Sequence, residues 1–225
     1  RRRNEEGHTV ERFRSGWKRI IAPIARLCVR LGVSANAVTV IGSVLSILVA
    51  LLTGVTGWLF WGAFVLTILV LFDSLDGSVA ALSGGGTRFG AFLDSTLDRI
   101  ADWATLAGII LYVNLHSDLW YDPTETSFPD YMTPCITGVT LYAIMTSFVT
   151  SYARARAESV GCEAKNGVAT RADRLTIILI GMALTGLTGQ IAILAVAMTL
   201  LAVLGTITVC QRILEVRRQM SRAGE

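Results

Sequence analysis

The sequence predicts an all-α integral membrane protein, with six transmembrane helices and an N-terminal amphipathic helix at the membrane interface. Three observations lead there. Hydrophobic residues make up 52% of the 225 and charged residues only 16%, where a soluble domain carries about 25% charged. The apolar residues gather into stretches that approach the roughly 20 residues a helix needs to cross a bilayer. The 20 Lys and Arg residues fall before the first stretch, after the last, and at alternate connections between them.

The expected spans are 38–57, 59–82, 88–115, 132–158, 172–188 and 190–212. Basic residues crowd the segment before the first span. Arg88 and Arg99 open the third span, and Arg154, Arg156, Lys165, Arg171 and Arg174 bracket the loop between the fourth and fifth. Arg212, Arg217, Arg218 and Arg222 follow the sixth. The 116–131 connection holds no Lys or Arg and carries the acids Asp118, Asp122, Glu125 and Asp130. Basic loops stay on the cytoplasmic side. Both termini and the 2–3 and 4–5 loops are therefore expected in the cytoplasm, with the chain multi-pass in the inner membrane.

Residues 10–31 place Val10, Phe13, Trp17, Ile20, Ile21, Ile24, Leu27, Cys28 and Leu31 at three-four spacing, with Arg and Lys filling much of the rest. That pattern predicts a basic amphipathic helix on the inner leaflet, kinked at Pro23. Its rival is a helix packed on the protein's own loops. Residues 1–9 are expected to be a flanking or expression-derived segment, 32–218 the six-span domain, and 219–225 a cytoplasmic tail. No cleavable signal peptide is expected. Cys28, Cys135, Cys162 and Cys210 are too scattered for a zinc site or a disulfide framework.

Asp73, Asp76, Asp94, Asp98 and Asp102 lie inside spans two and three. An acid at a helix centre costs about 2.5–3.5 kcal/mol on the insertion scale, so the group needs a cation or water. Asp73 and Asp76 are i,i+3, and Asp94 and Asp98 are i,i+4; each pair shares a helix face. With Gly85 as the tip of the hairpin joining the two helices, the pairs reach matching depths, about 14–20 Å from it at 1.5 Å per residue. Four converging carboxylates require positive charge. Hard divalent cations, Mg²⁺ or Mn²⁺, fit oxygen ligands and act with phosphates. Gly77 and Ala80 leave room for a ligand to approach the backbone; a small-residue helix contact explains either alone. Asp102 is expected to pair with Arg99 at i,i+3.

The string Asp73-x2-Asp76-Gly77-x2-Ala80-x9-Gly90-x3-Asp94-x3-Asp98 resembles the signature of the CDP-alcohol phosphotransferase family. One position departs: Ala81 stands where the family usually has Arg, with Arg88 a candidate replacement. The resemblance implies six transmembrane helices and transfer of a phosphatidyl group from CDP-diacylglycerol to an alcohol, with release of CMP. By position it implies that Asp73, Asp76 and Asp94, with Asp98 beside them, hold two divalent cations. It makes Asp98 the general base, and puts Asp76, Gly77 and Ala80 at the cytidine. Asn36 and Thr39 match the family's pre-span nucleotide contact; capping of the first span is their alternative role.

The end of span four reads Ser151-Tyr152-Ala153-Arg154-Ala155-Arg156-Ala157-Glu158, and Arg171-Ala172-Asp173-Arg174 opens span five. Arginine forks match phosphate oxygens; ordinary positive-inside decoration is the bland reading. Both runs resemble bacterial phosphatidylinositol phosphate synthases. That resemblance implies an inositol phosphate acceptor bound by Ser151, Arg154, Arg156, Arg171 and Arg174, and a homodimer. Glycerol 3-phosphate, the acceptor of phosphatidylglycerophosphate synthase, is the alternative. A divalent-cation transporter is the rival of another class. The Gly84–Gly90 stretch lacks the Lys-Ser/Thr end of a P-loop, and no nucleic-acid partner is expected.

Overall fold

The computed structural model describes residues 22–82, 85–124 and 128–223, without the side chains of Ser74, Asp76 and Ala223. Among these residues the regular structure is entirely helical. α1 covers 22–30. There follow α2 (Ala35–Thr56), α3 (Leu59–Phe72), α4 (Ser74–Leu82), α5 (Arg88–Leu115), a 3₁₀ turn at Ser117–Leu119, α6 (Met132–Ser159), α7 (Arg171–Thr188) and α8 (Ile191–Ala223). The amphipathic segment expected at 10–21, the flanking residues 1–9 and Glu125 lie outside the described residues.

Four helical stretches are long and apolar enough to cross a membrane: Ala35–Thr56, Leu59–Leu82, Met132–Ser159 and Ile191–Arg222. α5 and α7, also expected as spans, are loaded with charge. α5 carries Arg88, Asp94, Asp98, Arg99 and Asp102, and α7 opens with Arg171, Asp173 and Arg174. Large apolar side chains face outward along these helices, including Leu52, Trp61, Phe64, Leu187 and Val196. An outward belt of this kind suits lipid rather than water.

The chain forms two compact units. The first comprises Arg1–Ser46 with Ile68–Ala101, and the second Ile47–Thr67 with Asp102–Glu225. In the first, Ala25, Leu75 and Val79 form a small core, with Ile24, Cys28, Val29, Ala35 and Val38 packed on it. One face of α1 thus docks on α4, while Leu27 and Leu31 stay exposed. The docked residues are small or slender, which allows close helix approach.

Local signals explain how these elements begin and end. α1 stops at Gly32, whose φ of 72° is the left-handed conformation glycine adopts freely. Gly32 N donates to Val29 O (3.1 Å) and Val33 N to Cys28 O (2.9 Å), closing a Schellman motif. Ser34 then caps α2 by accepting from Ala37 N at 3.2 Å, so the helix starts at Ala35, three residues earlier than the expected 38. The cap is therefore Ser34 rather than Asn36 or Thr39; Thr39 Oγ1 donates back to Ala35 O at 3.1 Å. The span expected at 59–82 is broken at Asp73, between α3 and α4. Asp is a poor interior helix residue because its carboxylate competes for backbone donors. α4 closes where Gly85 N donates to Ala80 O at 2.8 Å. Thr87 opens α5 by accepting from Gly90 N at 2.9 Å.

The second unit has the larger core, including Leu59, Leu106, Ile109, Ile136, Met182, Leu194, Met198 and Leu201. α2 and α5 cross there at Gly54 and Gly108, where a Cβ on either would collide with backbone of the other helix. Two small residues at a crossing let helices pack by direct van der Waals contact, the main attraction available in lipid. α8 continues to Ala223, so the segment expected as a tail from 219 begins inside a helix.

Candidate active site

In the first unit, Asp73, Asp94 and Asp98 each offer a carboxylate oxygen, and the three oxygens lie within 4.8 Å of one another. All three residues are partly buried. Asp73 comes from the break between α3 and α4, Asp94 and Asp98 from successive turns of α5. Asp73 precedes the first residue of α4, and its N–H still donates to Leu69 O at 2.9 Å, so the break is one residue long. Asp76 lies on α4, and its side chain is outside the description. Arg99 Nη2 lies 4.0 Å from Asp98 Oδ2.

The donor set tests what ion could sit there. It is all carboxylate oxygen, with no thiolate or imidazole in the group, which selects hard divalent cations over soft metals. Mg²⁺ holds oxygens at about 2.0–2.1 Å, so oxygens within 4.8 Å of one another can share an ion or flank a close pair. The residues present fit the expected cation.

A cavity of about 610 Å³ opens beside this cluster in the same unit. Asn36, Thr39, Gly77 and Ala80, the expected nucleotide residues, all line it, and so does Asp94. Ser34, Gly85, Gly86 and Thr87 also line it. These last residues were not expected at the site. The breaker cluster was legible as a turn, but a turn alone does not reveal that it borders a cavity. A Cβ at Gly77 would meet nothing within 4 Å, so the room at this position belongs to the cavity. Gly90 differs: a Cβ there would lie 2.9 Å from Asn36 Oδ1 and 3.1 Å from Thr87 Oγ1.

The expected acceptor residues all belong to the second unit. Arg171 Nε lies 3.3 Å from Asp102 Oδ1, and Arg174 Nη2 lies 4.0 Å from Asp102 Oδ2. The structure thus brings Arg171 and Arg174 together on one buried carboxylate. This gives Asp102 partners on another helix, beyond the Arg99 pairing expected from sequence. Arg154 pairs with Glu158 at 3.2 Å on its own helix, Arg156 Nη1 donates to Ser159 Oγ at 3.0 Å, and Ser151 Oγ donates to Ser147 O at 3.1 Å. α7 starts with a capping box between Thr170 and Asp173, which fixes the turn bearing Arg171 and Arg174.

Sequence reasoning passed over Arg212 as a terminal charge. It is buried, and its guanidinium donates to Thr150 O and, at 3.2 Å, to Asn166 O. Other α8 side chains hold the same loop: Gln219 with Glu163, Gln211 with Val168 N at 3.0 Å, and Thr208 with Ala169 N at 3.3 Å. The Gln and Arg residues flanking an apolar run were the only available signal.

A model of the family described as CDP-alcohol phosphatidyltransferase matches residues 33–212, and the chain belongs to that family. It is a CDP-alcohol phosphotransferase enzyme. Among its curated relatives is the phosphatidylinositol phosphate synthase of Cutibacterium acnes, 38% identical, covering 93% of this chain and 98% of that protein. The enzyme of the same name from Mycobacteroides abscessus is 39% identical, covering 91% and 86%. The crystal structure of Mycobacterium tuberculosis phosphatidylinositol phosphate synthase with CDP-DAG bound superposes with a TM-score of 0.77 at 38% identity, covering 88% of this chain and 94% of that one. A second structure of that enzyme, in complex with manganese and citrate, gives 0.76, covering 87% and 88%.

Proposed function

We propose that this protein is a phosphatidylinositol phosphate synthase, transferring a phosphatidyl group from CDP-diacylglycerol to inositol phosphate with release of CMP. One observation carries the reading: Asp94 belongs both to the carboxylate cluster and to the wall of the adjoining cavity. A diphosphate held at the carboxylates then has its nucleoside beside Asn36, Thr39, Gly77 and Ala80. The names of the relatives, and the CDP-DAG in the tuberculosis enzyme, support the same donor and acceptor.

Asp73, Asp76, Asp94 and Asp98 are the residues to hold two divalent cations, Mg²⁺ or Mn²⁺; the manganese complex of the tuberculosis enzyme supports this. Bound there, such ions neutralise the diphosphate and stabilise the departing CMP. Asp98 takes the proton from the acceptor hydroxyl. The acceptor oxygen forms its bond to the phosphatidyl phosphorus as the bond to CMP breaks. Ser151, Arg154, Arg156, Arg171 and Arg174 bind the acceptor phosphate, a task for planar guanidinium forks.

The reading extends to the membrane. α5 and α7 join the four apolar helical stretches as six spans of the inner membrane. Both termini and the site face the cytoplasm, and the enzyme is a homodimer. The lipid enters sideways from the bilayer and the acceptor from the cytoplasm. Family membership replaces the cation-transporter reading.

The test is CMP release by the purified protein in detergent with CDP-diacylglycerol and Mg²⁺. Inositol phosphate, glycerol 3-phosphate and free inositol are supplied in parallel. Turnover with inositol phosphate alone is the expected result. Turnover with glycerol 3-phosphate alone overturns the acceptor assignment.

A further inference from the structure

Asp102 has no part in the chemistry described so far, yet it is among the most buried charged groups of the second unit. Its side chain is 12% exposed, that of Arg174 is 6% and that of Arg171 is 27%. Both arginines sit in the first turn of α7, where the helix dipole disfavours cations. Arg174 is nearly inaccessible besides, and a buried charge is costly unless paired. Two cations in so unfavourable a place need a reason to be there and a group to hold them. Asp102, reaching across from α5, is that group: Arg171 Nε at 3.3 Å and Arg174 Nη2 at 4.0 Å approach its two different oxygens.

Two guanidiniums carry more N–H donors than one carboxylate has lone pairs to accept, and the trio keeps a net positive charge. Asp102 therefore orients the arginines without cancelling them. Arg171, the more exposed of the two, is the one placed to meet a ligand.

We propose that Asp102 is a positioning residue for the acceptor phosphate: it fixes the Arg171 and Arg174 guanidiniums so that they present preorganised donors to a phosphate monoester. This rests on the assignment of those arginines to the acceptor under the proposed function. On charge alone, neutralising Asp102 removes a negative group from an anion site and should tighten phosphate binding. On positioning, it should loosen it, because both side chains recover rotamer freedom that the ligand must then remove.

The experiment measures equilibrium binding of inorganic phosphate to the full-length protein in detergent. It compares wild type with Asp102→Asn, Arg171→Gln and the double variant, and follows Tm alongside. Asp102→Asn is expected to weaken phosphate about tenfold. The double variant is expected to lose less than the sum of the two single losses, since Asp102 acts in part through Arg171. Unchanged or tighter binding in Asp102→Asn, additive losses, or a wild type that does not bind phosphate each overturn the proposal. Should Asp102→Asn not fold, Asp102→Glu, which keeps the charge and moves it by one methylene, carries the same expected weakening. CMP release with the three acceptors fails independently: turnover confined to glycerol 3-phosphate sinks the inositol phosphate assignment and leaves the phosphate measurement standing.

Discussion

Gly77 and Gly90 border the same cavity and make opposite predictions. Open space surrounds a Cβ at Gly77, so Gly77→Val should leave Tm unchanged and raise KM for CDP-diacylglycerol several-fold by filling room meant for substrate. At Gly90 the added methyl meets Asn36 Oδ1 at 2.9 Å and Thr87 Oγ1 at 3.1 Å. Gly90→Ala should displace Asn36 and loosen the α5 cap, so it raises KM and lowers Tm together. Steady-state kinetics with a thermal melt of each variant separates the two. Asp98→Asn, assigned to the proton transfer, should lower kcat by about 10²–10⁴-fold with the protein still folded; a loss under tenfold would remove Asp98 from that role. The pairing of Asp73 with Asp94 and Asp98 was legible because spacing around a glycine hairpin puts helical residues at equal depth. The partners of Asp102 were not, because Arg171 and Arg174 lie about seventy residues away and no helical periodicity links them.

Helix ends decide how the elements sit. Asp130 accepts from Met132 N at 2.9 Å and Thr133 N at 3.1 Å at the start of α6. Partial burial pushes its pKa up, but the hydrogen bonds from Thr133 and Met132 outweigh it and hold the carboxyl below its ordinary value. A depressed folded-state pKa means the contribution is present above the unfolded value, near 3.9, and fades as pH falls through the folded one. Asp130→Ala should therefore cost about 1 kcal/mol at neutral pH. The difference from wild type should shrink in strongly acidic buffer; a gap that persists there would show that the side chain acts other than as a carboxylate. On α8, Arg212→Ala would remove the buried guanidinium's hydrogen bonds to the Thr150 and Asn166 carbonyls. Hydrogen bonds from a charged group contribute about 1.5–3 kcal/mol each, so its melt should drop well below that of the exposed Arg218→Ala. Boundaries followed the same logic. The start of α2 was misplaced because Ser34 was not weighed as its cap, whereas the end expected for the fifth span, 188, is where α7 stops, before the left-handed Gly189.

Across the whole molecule, removing divalent cations tests the metal assignment. EDTA should abolish CMP release, and Mg²⁺ or Mn²⁺ should restore it; activity surviving chelation would end the reading. Topology has its own test. Cys162, in the α6–α7 loop, should react with an impermeant maleimide from the cytoplasmic side, and a cysteine replacing Asp118 from the opposite side. Equal labelling from one face would break the six-span arrangement. Composition, the distribution of Lys and Arg, and the spacing of the aspartates pointed by themselves to a helical membrane protein with a carboxylate cluster fit for a metal. Those properties arise from solvent and helical repeat, which act locally along the chain. Only the tertiary structure decided the break at Asp73, the cavity shared by Asn36 and Asp94, the burial of Arg212 in the loop it holds, and the hold of Asp102 on Arg171 and Arg174. Each depends on which helices become neighbours, and packing between distant segments leaves no periodic trace in a single sequence.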